Sequence, residues 1–90
     1  MKELEQKAEQ LIEKQRLYLE EVYSDAIEYD QMKLDDKDII HSCIMGVNHT
    51  IESLEMVIQH DKKRYGITNR GAKIELDEQI ELKKILEGRL

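Results

Sequence analysis

An all-α fold is what this 90-residue sequence predicts, and three observations predict it. Pro, Phe and Trp are absent and Gly occurs four times, so the turn punctuation and aromatic volume of a β-sandwich or barrel are missing. Charged residues make up 38% of the chain, with Leu, Glu, Lys and Gln plentiful; these side chains lose little freedom in a helix. Apolar residues recur at spacings of three and four along most of the length. The expected architecture is a long antiparallel helical hairpin plus a shorter third helix, over residues of about 3–31, 36–65 and 71–88 in one domain. The three helices would form a bundle that assembles into a dimer, because a hairpin this short buries a small core on its own.

The first helix is predicted from the absence of Gly and Pro between Glu3 and Gln31. Leu4, Ala8, Leu11, Gln15, Tyr18, Val22, Ala26 and Tyr29 form one stripe, widened by Ile12, Leu19 and Tyr23. Tyr18, Tyr23, Tyr29 and Tyr65 supply the aromatic volume and fall at core or core-edge positions. The apolar period fails around Asp30, and Asp35 or Asp36 is the expected N-cap of a second helix. That helix carries Ile40, Cys43, Ile44, Val47, Ile51, Leu54, Ile58 and Tyr65 on its main stripe. Lys62, Lys63 and Arg64 suit its last turn and Gly66 its left-handed cap. Thr68 or Asn69 is the expected cap of the third helix, whose apolar residues Ala72, Ile74, Leu76, Ile80, Leu82, Ile85 and Leu86 spread round its circumference. Ile74 and Leu76 alternate as a strand would, which allows a start as late as Asp77.

The formal net charge is −6, distributed as −4 over residues 1–34, −4 over 35–60, +4 over 61–74 and −2 over 75–90. A net negative chain opposes nucleic acid and anionic membranes. The basic group Lys62, Lys63, Arg64, Arg70 and Lys73 has Tyr65 as its sole aromatic companion, a weak nucleic-acid footprint. No apolar run approaches the roughly 20 residues of a membrane span, and Met1-Lys2-Glu3-Leu4-Glu5 lacks a signal-peptide core. A cytoplasmic protein is expected. Its likeness to small acidic helical bundles of bacterial or phage type is generic, with no motif that carries residues across.

Catalytic signatures are missing: there is no phosphate-cradling Gly loop, nucleophile elbow or paired-acid motif. Cys43 is the single cysteine and lies on the apolar stripe, where a buried inert thiol is expected. Asp38 and His41 share a helix face at i,i+3, yet a di-metal site needs further acids from facing helices. His49 and His60 stand roughly 16 Å apart on a helix, too far for one ion. Neither a metal nor a cofactor is expected, and a metal-binding bundle ranks behind two other readings.

The most informative local contrast lies on the second helix. Opposite its main stripe stand Ser42, Met45, Gly46, His49, Ser53, Met56 and His60, and between Ile39 and Gln59 the sole charged residues are Glu52 and Glu55. An ordinary solvent face of so charged a chain would be rich in Glu and Lys. Met45, Gly46, His49, Ser53, Met56 and His60 are therefore the candidate partner-binding residues, since Met-bearing faces adapt to partners and small residues let backbones approach. The third helix, a second subunit or a different protein could cover them. The leading reading is a small non-enzymatic interaction or regulatory protein that binds itself and another protein. The alternative is an acidic decoy or inhibitor of a nucleic-acid-binding protein, using Glu13, Glu20, Glu21, Asp25 and Glu28.

Overall fold

In the computed structural model, which describes residues 2–90, four helices follow one another and no strand occurs among those residues: α1 (Lys2–Val22), α2 (Ser24–Glu28), α3 (Asp36–Tyr65) and α4 (Arg70–Glu87). The long first helix predicted over 3–31 is interrupted at Tyr23, whose φ of −108° and ψ of 23° leave the helical well. The interruption is a kink, because Tyr23 N–H still donates to the Leu19 carbonyl (2.9 Å) and the Tyr23 carbonyl still accepts from Ile27 N–H (3.0 Å). Val22 and Tyr23 are weak helix formers, and the Ser24-Asp25 pair that follows favours a helix start over a helix interior. α2 then closes with Gln31 N–H donating to the Ala26 carbonyl (2.8 Å) and Asp30 N–H to the Ile27 carbonyl (3.2 Å). That is a Schellman ending, with Asp30 at φ 56° in the left-handed position usually given to glycine.

Both later helices are capped by side chains. Asp35 accepts from Lys37 N–H at 3.2 Å to open α3, and Gly66 at φ 66° closes it. Asn69 opens α4: its Oδ1 accepts from Ala72 N–H at 3.0 Å, while its Nδ2 donates to Asp61 Oδ2 at 3.0 Å and so ties the start of α4 to the end of α3. This cap secures a helix start at Arg70, well before Asp77, and the alternation of Ile74 and Leu76 has no strand to belong to.

Ala8 of α1, Ile40, Cys43 and Val47 of α3, and Leu82 and Leu86 of α4 form one core, with Leu11, Ile12, Ile44, Ile51 and Ile85 packed against it. Ala8 and Leu86 are wholly buried. Polar ties give the direction of packing. Gln15 Nε2 donates to Ser42 Oγ at 2.8 Å, Cys43 Sγ to the Leu11 carbonyl at 3.5 Å, and Arg16 pairs with Asp36 at 2.8 Å. Advancing along α1 therefore retreats along α3, so the two run antiparallel. Lys7 pairs with Glu78 and Arg89 with Glu9 (3.3 Å), which link α1 to α4 and the chain end. Such exposed pairs are screened by solvent and add little, so the apolar cluster carries the fold.

The core is short relative to the helices. Tyr18 and Val22, expected in the core, are 58% and 53% exposed, and Tyr29 and Tyr65 are exposed as well, because α1 outruns the start of α3 and the far end of α3 outruns α1. Ile74 is exposed on α4 for the same reason. The shape is correspondingly elongated, 56 × 28 × 16 Å, with a radius of gyration of 16.4 Å; a compact domain of this length has about 12 Å.

Candidate functional site

The six residues singled out from the sequence all lie on α3 and all are exposed. Met45 is 64% exposed and Met56 70%, so α4 does not cover this face; it packs on the opposite one through Leu82 and Leu86. A Cβ at Gly46 would meet no atom within 4 Å. His49, Ser53 and His60 complete a strip that is open to a partner along most of the helix. At its lower end His60 Nδ1 lies 3.5 Å from Asp61 Oδ1, and its ring meets that of Tyr65 edge-on at 6.2 Å. The Arg64 guanidinium is 5.9 Å from the Tyr65 ring centre. Lys62, Lys63, Arg70 and Lys73 join no ion pair among the described residues, and all are exposed.

Along the edge of this strip runs a groove of about 490 Å³ between α1 and α3. Its walls are Leu11, Gln15 and Tyr18 on one side and Ser42, Gly46 and Thr50 on the other, over a floor that includes Val47 and Leu82. The small residues on α3 keep the groove open, and Thr50 turns its hydroxyl back to donate to the Gly46 carbonyl at 3.2 Å. Sequence reasoning placed Leu11, Gln15 and Tyr18 on the apolar stripe of the first helix, with Tyr18 at the core or its edge. The signal it passed over is Gln15, a polar residue in mid-stripe whose amide reaches the Ser42 hydroxyl at the groove wall.

The acidic candidates are all exposed along α1 and α2. Glu13 pairs with Arg16 at 3.6 Å within α1. Glu20 and Glu28 line a shallow hollow at the α1–α2 tip with Ile27, Met32 and Leu34. Glu21 and Asp25 are exposed outside it, on either side of the kink at Tyr23. No group of three or more His, Cys, Asp or Glu side chains that could hold a metal ion occurs among the described residues. Cys43 is buried, donates to the Leu11 carbonyl, and burial pushes its thiol pKa up, away from the reactive thiolate. Lys7 is shifted upward too, first by its hydrogen bond to Glu78 and then by that carboxylate's charge.

The outer face of α3 thus presents a thioether and imidazole strip beside an open groove. No helix among the described residues is long and apolar enough to cross a membrane. Comparison with family models, with curated proteins and with solved structures finds no significant match to this chain.

Proposed function

We propose that this is a non-enzymatic helical interaction protein whose working surface is the outer face of α3, offered to a helix of a protein partner or of a second copy. The observation that carries the reading is the conjunction of exposure and missing charge. Met45 and Met56 stand more than three-fifths exposed on a face with few charges, in a chain that is 38% charged overall. Flexible thioethers on a sparsely charged helix face suit helix-in-groove or helix-on-helix packing.

The test is recovery of associated proteins from the native host with a tagged full chain, beside a Met45→Asp/Met56→Asp variant. Both substitutions lie outside the core, so the variant should keep the wild-type helical signal at room temperature. The reading requires that it lose the proteins held by wild type, an untagged second copy included. Retention of the same set by the folded variant refutes it.

A further inference from the structure

We infer that the occupant of the α3 face is a second copy of this chain, laid antiparallel along α3 in a two-fold coiled coil. The inference rests on the reading of α3 as the working surface and adds the partner, its direction and its register. Starting at Asp38 and stepping alternately four and three residues along α3 gives Asp38, Ser42, Met45 and His49, then Glu52, Met56, Gln59 and Lys63. This spacing is that of the seam between two packed helices, here polar except for Met45 and Met56, and it runs opposite the core positions Ile40, Val47, Leu54 and Ile58 for roughly 37 Å. All eight are exposed except Ser42, which is half-buried.

The order of residues in the seam is self-complementary. A two-fold axis between Thr50 and Ile51 sets each member against another member of the same seam. Asp38 meets Lys63 of the second copy, a carboxylate against an ammonium. Ser42 meets Gln59, a hydroxyl against an amide. Met45 meets Met56, and at the centre His49 meets Glu52. Each contact occurs twice, as an isologous interface demands. Asp38 and Lys63 join no ion pair within the chain among the described residues. A parallel pair would instead stack Asp38 on Asp38, Glu52 on Glu52 and Lys63 on Lys63, which like-charge repulsion disfavours.

The accessible area is large enough for such an interface. The chain exposes 7052 Å², whereas a compact monomer of its mass exposes about 5,500 Å². The surplus of about 1,500 Å² exceeds the roughly 800 Å² that each partner contributes to a standard interface.

Two measurements on the purified full chain test this. In oxidative cross-linking, a mixture of Met45→Cys and Met56→Cys chains should give a disulfide-linked pair at least about tenfold more readily than either variant alone. The reason is that Met45 faces Met56 across the axis, whereas the two Met45 positions lie roughly 16 Å apart along it. Wild type, with Cys43 buried, is the control. In sedimentation equilibrium at low salt, Asp38→Lys or Lys63→Asp alone should weaken the dimer about tenfold, and the two together should restore it to within about twofold. Self-linking of Met45→Cys as efficient as the mixture, or a double reversal no tighter than the single ones, overturns the inference while leaving a docking role for α3 intact. A chain that stays monomeric to millimolar concentration also overturns it; the co-recovery experiment then decides the broader reading independently.

Discussion

At the scale of single residues, three positions carry a local cost or constraint that the chain could be relieved of. Gly46 sits inside a helix with nothing near its missing Cβ, so Gly46→Ala should raise stability by about 1 kcal/mol, read from urea unfolding. Asp30 holds the left-handed position of the α2 ending without being glycine, and Asp30→Gly should add about 1 kcal/mol by removing the steric strain of its Cβ there. A loss of stability in either variant would mean that the side chain or its absence has a partner in the fold. Cys43 is a constraint of another kind. Burial favours its neutral thiol in the folded chain, so the unfolded thiol, with a pKa of about 8.5, ionises first as pH rises. The stability contributed is complete below that value and declines as pH climbs through it towards the raised folded pKa. The slope of unfolding free energy between pH 8 and 10 should therefore be shallower in Cys43→Ala than in wild type. The burial of Cys43 was legible from its place between Ile40 and Val47; the Asp30 turn was not, since any short polar residue can close a helix and the backbone bonds that select Asp30 come from α2 itself.

At the scale of elements, α4 docks through two leucines, of which Leu86 is wholly enclosed. Leu86→Ala should cost 2–5 kcal/mol, of the order found for buried Leu to Ala changes, and should free α4 to exchange its amide protons before α1 and α3 do. Uniform exchange throughout the chain would show instead that the helices melt as one unit. The helices themselves were legible because their signals are local: Asp35, Gly66 and Asn69 act within one turn of their own positions. What the sequence could not show is how far each apolar stripe finds a partner. Tyr18 and Val22 continue the α1 stripe in perfect period, and they are exposed because Arg16 already lies beside Asp36 at the start of α3. Helix period reports that a residue belongs to a face; the offset between helices, fixed by loops and caps far away in sequence, decides whether that face is covered. The candidate strip of Met45 to His60 was legible by its lack of charge, whereas the groove beside it depends on the approach of α1 and left a trace only at Gln15.

At the scale of the whole molecule, a slender rod with two large side chains wholly enclosed, Ile39 and Leu86, has little burial to set against the entropy of ordering some 90 residues. Its charge is polarised: the α1–α2 tip and the start of α3 are acidic, and the turn between α3 and α4 is basic. In the proposed dimer, side-by-side antiparallel copies would bring opposite poles together and cover the strip between them, so folding and association should be coupled. For a dimer that unfolds to separate chains, the melting temperature rises with protein concentration, since dilution favours the unfolded side. With unfolding entropy typical of a chain this long, each tenfold increase in concentration should raise the melting temperature by about 4 °C. The Met45→Asp/Met56→Asp variant should melt lower and at a temperature independent of concentration. Because the attraction between poles is electrostatic and exposed, raising salt from about 0.1 to 1 M should lower the wild-type value at a fixed concentration. A wild-type melting temperature that does not move between 5 and 500 μM, or one that follows salt identically in wild type and variant, would show that the rod is stable alone and that its poles do not meet.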